Sequence, residues 1–493
     1  MKNNMNIRTL LIWTFIFTFY WVSCAQKNNE PVSLVNGSFE YGKDSWNGWI
    51  KTNASITDDG YYAPIDGDHY VVLPGNEQWI KQESKVVIES GKSYRFKVWV
   101  RSVNEKGIGA RTTAQIALLV NDEVMVSDSL NVNAPQLKGV AATLQNDDGA
   151  NVWIDGDYRH QFADHHMYQS IDSDPIHDPW LAVPDSDYSN KELGWAVGNV
   201  VVNDNRFIYG TLYRDIPGEF YSSITLITAK GIGNPDYAWT DPVVILDHDK
   251  TEFPWVLDAH LYYDEPEDRL WMTWGGGICY VVEMDPMTGL FLENPKDTEY
   301  DTHPEDMHTP VATWPETHEG WCGDDWSSCW MEGAAIYKYN KKWYFFGSYG
   351  NLSENYTIRM GKGDNPQGPF YDKMGLNMME FDQERKVYGN SMLLGDEGIQ
   401  LVPGHPHVWE ENGKFYMGYD YRRLTGAGEP GDYMGIRRLY WYDGWPTIWI
   451  PLEITIKAND YPELIGKKLS IGFRNIGEAE SRLGVDAVAL DID

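Results

Sequence analysis

MEGAAIYKYNKKWYFFGSYG, residues 331–350, reads as an acid, a short apolar run, a polar turn and a second run rich in aromatic residues. Three other segments repeat this layout with an acid or a histidine at the same end: DDGANVWIDGDYR (147–159), LDAHLYYDEPEDRLWMTWGG (257–276) and GHPHVWEENGKFYMGYD (404–420). A fifth, GWAVGNVVVNDNRFIYGTLY (194–213), has the layout without the acid. Each is a β-hairpin pattern, and a hairpin recurring through the chain with no helical periodicity between copies is the signature of small sheets repeated around an axis.

That reading predicts an all-β chain with a five-bladed β-propeller. In such a fold the first strand of each blade lines the central channel, so residues at equivalent strand ends gather in one pocket from distant parts of the sequence. Carboxylates gathered that way can run glycoside hydrolysis, in which one acid protonates the leaving oxygen and another carboxylate activates water or attacks carbon.

Several longer motifs resemble glycoside hydrolase family 43, and within it the arabinanase-like members. RLWMTWGGGICYVVEMDPMTGLF (269–291), following Asp258, is similar to the family's third blade; YTIRMGKGDNPQGPFYDKMG (356–375) to the fourth; GHPHV (404–408) and RRLYWYDGWP (437–446) to the fifth. The resemblance covers roughly residues 147–446. It implies that Glu332 is the general acid, that Asp258 raises the acid's pKa and orients it, and that the reaction inverts the anomeric carbon.

The base has two candidates. The family usually writes it His-Asp-Pro at the start of blade one, and the string His177-Asp178-Pro179 is present. Yet Trp195-Ala196 resembles the opening of blade two, and no whole blade fits between Asp178 and Trp195. Asp148 leaves room for one, with its hairpin turn at Asp155-Gly156, although Asp147 and Gly149 replace the family's histidine and proline. Spacing therefore favours Asp148.

Taken singly, acids at strand ends are mostly turn formers or solvated charges; Asp258 and Glu332 stand out because each sits in a long matching motif. Gly404-His405 falls on the family's axial histidine, which implies that His405 helps hold a hydrated metal ion in the channel. Trp195 and Arg437 are the candidate substrate-binding residues, with Arg437 equally able to pair with one of the surplus acids.

The chain carries 22 Trp and 31 Tyr, flat rings that can stack on sugars while their polar edges hydrogen-bond. A net charge of −33 argues against nucleic acid as a partner, because phosphates would be repelled. Lys2 and Arg8 precede the apolar run LLIWTFIFTFYWVSC (10–24), too short to be read first as a spanning helix. Val22-Ser23-Cys24 resembles a bacterial lipobox, implying a lipoprotein signal peptide over residues 1–24 and a protein held on the envelope, at the outer membrane, through lipid alone; secretion is the alternative. Cys322 and Cys329 bracket GDDWSS (323–328) and could close a small disulfide loop, leaving Cys279 as a buried thiol.

The flanks follow a different plan. Residues 31–139 alternate apolar and polar residues in stretches such as KSYRFKVWVRS (92–102) and look like the first part of a jelly-roll carbohydrate-binding module. The C-terminal segment, residues 451–493, supplies LEITIKAND (452–460), KKLSIGFRN (467–475) and GVDAVALDID (484–493), which read like the last strands of the same β-sandwich. The expected organisation is thus a propeller, residues 140–450, inserted into a sandwich. Such modules often share a structural calcium between a glutamate near the first strand and an aspartate in the last, here Glu40 and Asp486. No organic cofactor is expected. The leading function is a glycosidase for arabinose- or xylose-containing polysaccharides or oligosaccharides; the alternative is a surface lipoprotein that binds glycan without cleaving it.

Overall fold

In the computed structural model the described residues are 34, 36–43, 46, 48–58, 60–120, 123–133, 193–202, 205–216, 219–230, 243–253, 255–292, 307–314, 330–351, 355–384, 387–424 and 430–492. The signal-peptide stretch, both base candidates Asp148 and Asp178, and the pair Cys322 and Cys329 lie outside them, and of Trp195 only the backbone is described.

Four sheets of four antiparallel strands follow one another in sequence order. They open with the strands Leu193–Val202, His260–Asp264, Met331–Tyr339 and Gln400–Glu411. These opening strands lie against one another, which places them on the axis side of a propeller. The rest of each sheet is sandwiched between its neighbours. Strand Lys342–Tyr349 is accordingly buried at every position after its first, where a half-exposed strand would alternate. The core is divided among the interfaces between sheets, one cluster joining Phe207, Trp274 and Met284, and another Ile336, Phe345 and Cys279.

The turns are written in the sequence. Asn340 and Lys341, both left-handed, close the hairpin between strands Met331–Tyr339 and Lys342–Tyr349; Asn412-Gly413 and Asp443-Gly444 do the same in the last sheet. Two left-handed residues make the turn type whose twist matches a hairpin, and Asn-Gly and Asp-Gly adopt it most readily.

Two five-stranded sheets form the sandwich, and strands from both ends of the chain interleave in each. Strand Lys468–Asn475 lies between Gln78–Val87 and Thr113–Val120; strand Arg482–Ile492 lies between Tyr70–Pro74 and Ser93–Ser102, with Ile450–Lys457 on the other side of the latter. Their inward residues, including Val71, Phe96, Ile116, Ile454, Ile471 and Val485, share one core.

Candidate active site

The opening strands are irregular where the axis is approached. Register shifts fall between Trp195 and Gly198, between Glu332 and Ala335, and twice between Leu401 and His407. An extra residue in one strand bends it and re-aims a side chain. Asp258, Gly333 and His405 all take left-handed backbone there, with φ of 58°, 59° and 46°. Gly333 has no alternative: a Cβ on it would lie 2.9 Å from both His405 Cδ2 and Ser348 Oγ.

These bends bring Asp258 and Glu332 to one place. The Asp258 N–H donates to Thr211 Oγ1 at 2.8 Å, and its Oδ2 accepts the Gly333 N–H at 3.2 Å. His405 Nε2 stands 2.9 Å from the same oxygen, and the His405 N–H donates to Ser348 Oγ at 2.8 Å. Asp258 is thus pinned from three blades.

Glu332 is held by two donors. Tyr356 O–H donates to Oε1 at 2.7 Å, and the Trp330 indole N–H to Oε2 at 2.6 Å. Trp330 in turn meets Trp255 edge to face, at 4.9 Å between ring centroids. Burial, and then the neighbouring Asp258 charge, push the Glu332 pKa up; His405, Tyr356 and Trp330 pull against that shift without cancelling it. A carboxyl that keeps its proton further towards neutral pH, beside a second acid fixed by hydrogen bonds, is what a general acid requires.

Around this pair the remaining polar groups are buried. His260 Nε2 and His407 Nδ1 lie 2.8 Å apart, and burial, followed by the proximity of His405, pushes the His260 pKa down to about 3. His260 is therefore neutral at working pH. The Cys279 thiol, a buried free cysteine, is pushed up by burial and by Asp258 and Glu332, and stays protonated.

Arg437 takes the second of its two sequence readings. It is 6% exposed, and all three guanidinium nitrogens are engaged: Nε by the Tyr419 hydroxyl oxygen at 2.7 Å, NH1 by Glu397 Oε2 at 2.9 Å and NH2 by Gln400 Oε1 at 2.7 Å. Each nitrogen of the buried fork is thus tied to a neighbour in the same sheet or in the turn before it. Glu40 and Asp486 likewise spend their oxygens within the protein. Glu40 accepts the N–H groups of Asp68 and His69 at 3.0 and 2.8 Å, and Asp486 Oδ2 those of Ile65 and Asp66 at 2.7 and 3.2 Å. Backbone amides of the 65–69 loop thus hold both carboxylates. Among the described residues no group of three or more His, Cys, Asp or Glu is placed to hold a metal ion, and His405 Nε2 lies against Asp258 Oδ2.

Tyr356, Trp330, Thr211 and Ser348 carry no mark of this role in the sequence. Tyr356 opens one of the matching motifs, but in a chain with 31 Tyr nothing local marks the one that grips the acid.

The family model for Glycosyl hydrolases family 43 matches residues 169–446, more than half of the chain. The chain belongs to that family. Its fold class follows: all-β, with the family's five-bladed propeller joined to a sandwich. Among curated relatives, an extracellular endo-α-(1→5)-L-arabinanase of Thermotoga petrophila is 29% identical over 209 residues, covering 37% of this chain and 38% of the relative. A second such enzyme, from Bacillus subtilis, is 25% identical over 230 residues, covering 40% and 43%. The chain thus spans about two fifths of the length of these relatives. A solved α-L-arabinanase of Cellvibrio cellulosa, complexed with arabinohexaose, is 18% identical with a TM-score of 0.40, covering 54% of this chain and 82% of that one. The matched span includes Asp178 and begins after Asp148.

Proposed function

We propose that the protein is a glycosidase that cleaves arabinose-containing polysaccharide or oligosaccharide by acid and base catalysis, with inversion. The observation that carries this is the Glu332 carboxyl, held between Tyr356 and Trp330 and pushed towards its protonated form by burial and by Asp258. Family membership and the arabinanases among its relatives support the substrate class. Xylose-containing glycans are the nearest competing substrate.

In this reading Glu332 delivers its proton to the glycosidic oxygen as the bond breaks. Asp258, held by Thr211, Gly333 and His405, keeps the acid's proton on and its carboxyl oriented. A second carboxylate takes a proton from the attacking water on the opposite face of the sugar. Asp148 is assigned that role on spacing, because a family match can begin inside a blade whereas a blade cannot be built between Asp178 and Trp195.

The division into a signal peptide (1–24), a sandwich from 31–139 plus 451–493 and a propeller over 140–450 belongs to the same proposal, supported by the interleaved strands. So does export to the envelope, with lipid attached at Cys24, in keeping with the extracellular relatives.

A screen of linear 1,5-α-L-arabinan, an aryl α-L-arabinofuranoside and an aryl β-D-xyloside tests the assignment. Release of arabinose or arabino-oligosaccharide is expected. Binding of arabinan without turnover of any of the three would replace the enzyme with the glycan-binding lipoprotein.

A further inference from the structure

The geometry points to the sandwich as a positioning element of the catalytic centre, acting through the turn at 395–402 and Tyr356 on the carboxyl of Glu332. This rests on the acid role proposed for Glu332 and adds to it a dependence on residues of another domain.

The contact begins with four sandwich residues. Arg101 Nε donates to Glu397 Oε2 at 3.2 Å, with side-chain exposures of only 2% and 4%. The Tyr61 hydroxyl oxygen accepts the Asp396 N–H, and its ring lies where a Cβ on Gly395 would sit. Asn104 O accepts the Gly398 N–H at 3.3 Å, and the Gly107 N–H donates to Gly398 O at 2.7 Å. The propeller grips the same turn from the other side, since Arg437 NH1 shares Glu397 Oε2 and Gln400 meets Arg437 and Tyr419. Glu397 is a buried charge shared by one arginine from each domain. Removing either arginine leaves the other on it, so the turn loses one support without leaving that charge unpaired.

From the turn the path reaches the acid in two steps. Asp396 Oδ1 accepts the Val402 N–H at 2.6 Å, holding Val402 in left-handed backbone with φ of 48°. Leu401 and Val402 then pack with Tyr356 in a small cluster of their own, all three buried. Tyr356 is confined further by Gly404, where a Cβ would lie 2.1 Å from its ring. Its hydroxyl is the donor to Glu332 Oε1. The aromatic ring that sets one oxygen of the acid is therefore seated on a turn that the sandwich holds.

The sign of the effect follows from the hydrogen bond. A donor to the carboxylate favours the charged form, so Tyr356 lowers the acid's pKa against burial. Loosening the turn lets Tyr356 withdraw, the pKa rises, and the alkaline limb of activity, where the acid loses its proton, moves to higher pH. Tyr356→Phe should move it by roughly one pH unit, the shift expected for one hydrogen bond to a charged group.

The test is the pH dependence of kcat/KM on linear arabinan for the full chain and for Tyr356→Phe, Tyr61→Phe, Arg101→Lys and Trp99→Phe. Trp99 lies at the same domain interface, packed edge to face on Tyr440 and Tyr442, and none of its ring contacts is to the turn. The expected result is an upward shift of the alkaline limb in Tyr61→Phe, smaller than in Tyr356→Phe, the same direction in Arg101→Lys, and no shift in Trp99→Phe. Tyr61→Phe keeps the ring and decides the matter if Arg101→Lys fails to fold. An unmoved limb in Tyr61→Phe, or an equal shift in Trp99→Phe, overturns the inference, the second because general loosening would then suffice. Wild-type turnover of arabinan by Glu332→Gln would sink the acid role itself, an outcome distinct from both.

Discussion

His405 Nε2 and Asp258 Oδ2 lie 2.9 Å apart with both side chains wholly buried, and both residues hold left-handed backbone to get there. The contact joins two blades across the axis. It depends on Gly333, whose missing side chain leaves room for the imidazole.

Gly333→Ala should therefore damage the site more than the fold. Left-handed backbone costs a residue with a Cβ about 1–2 kcal/mol, and the added methyl would push on His405 Cδ2 and Ser348 Oγ. A melting temperature a few degrees lower is expected, with kcat down by roughly a hundredfold from misplacement of the acid pair. Wild-type kcat in a folded Gly333→Ala protein would show that the contact does not position the site.

The pH dependence of stability should carry the mark of Glu332. Its folded pKa is raised above the ordinary 4.5, so its contribution is intact at pH below that value and is lost as pH rises through the folded pKa. Glu332→Gln removes the ionisation. The melting temperature of the variant minus that of the wild type should grow with pH above about 4.5 and then level off. A difference that stays flat from pH 4 to pH 8 would mean that burial does not penalise the charge.

Truncation before Pro451 should unfold the sandwich as a whole. Strands Lys468–Asn475 and Arg482–Ile492 are each paired on both sides, so their loss splits both sheets and exposes edges and apolar faces. Limited proteolysis of the truncated chain should cut throughout 34–133. Protection of that region would show that it folds without its C-terminal strands.

The base is separable by two substitutions. Asp148→Asn should abolish turnover and Asp178→Asn leave most of it. The base and acid carboxyls of an inverting site stand roughly 6.5–9.5 Å apart, so an experimental structure with Asp178 at that distance from Glu332 would reverse the choice.

Much of this was legible in the chain. Hairpins announced themselves through paired apolar runs broken by a polar turn, and the sandwich strands through alternation, because both patterns are local. Asp258 and Glu332 were legible through the motifs around them. Tyr356 and Trp330 were not, since an aromatic hydrogen-bonded to an acid looks the same in sequence as an aromatic in a blade core. Arg437 shows the limit most clearly: its partner Glu397 is shared with Arg101 from the other domain, and an ion pair spanning 296 positions leaves no pattern to read. Glu40 and Asp486 were picked by position in the module, while the amides of the 65–69 loop that hold them were not legible in the sequence.

The central claim, that Glu332 is the general acid, is tested most directly by comparing Glu332→Gln with the wild type on two substrates. Linear arabinan needs its leaving oxygen protonated, and an aryl arabinofuranoside with an acidic phenol does not. The account predicts a loss on the order of a hundredfold or more on arabinan, a much smaller loss on the aryl substrate, and no alkaline limb on either. Turnover of arabinan at the wild-type rate, or equal losses on both substrates, would contradict it.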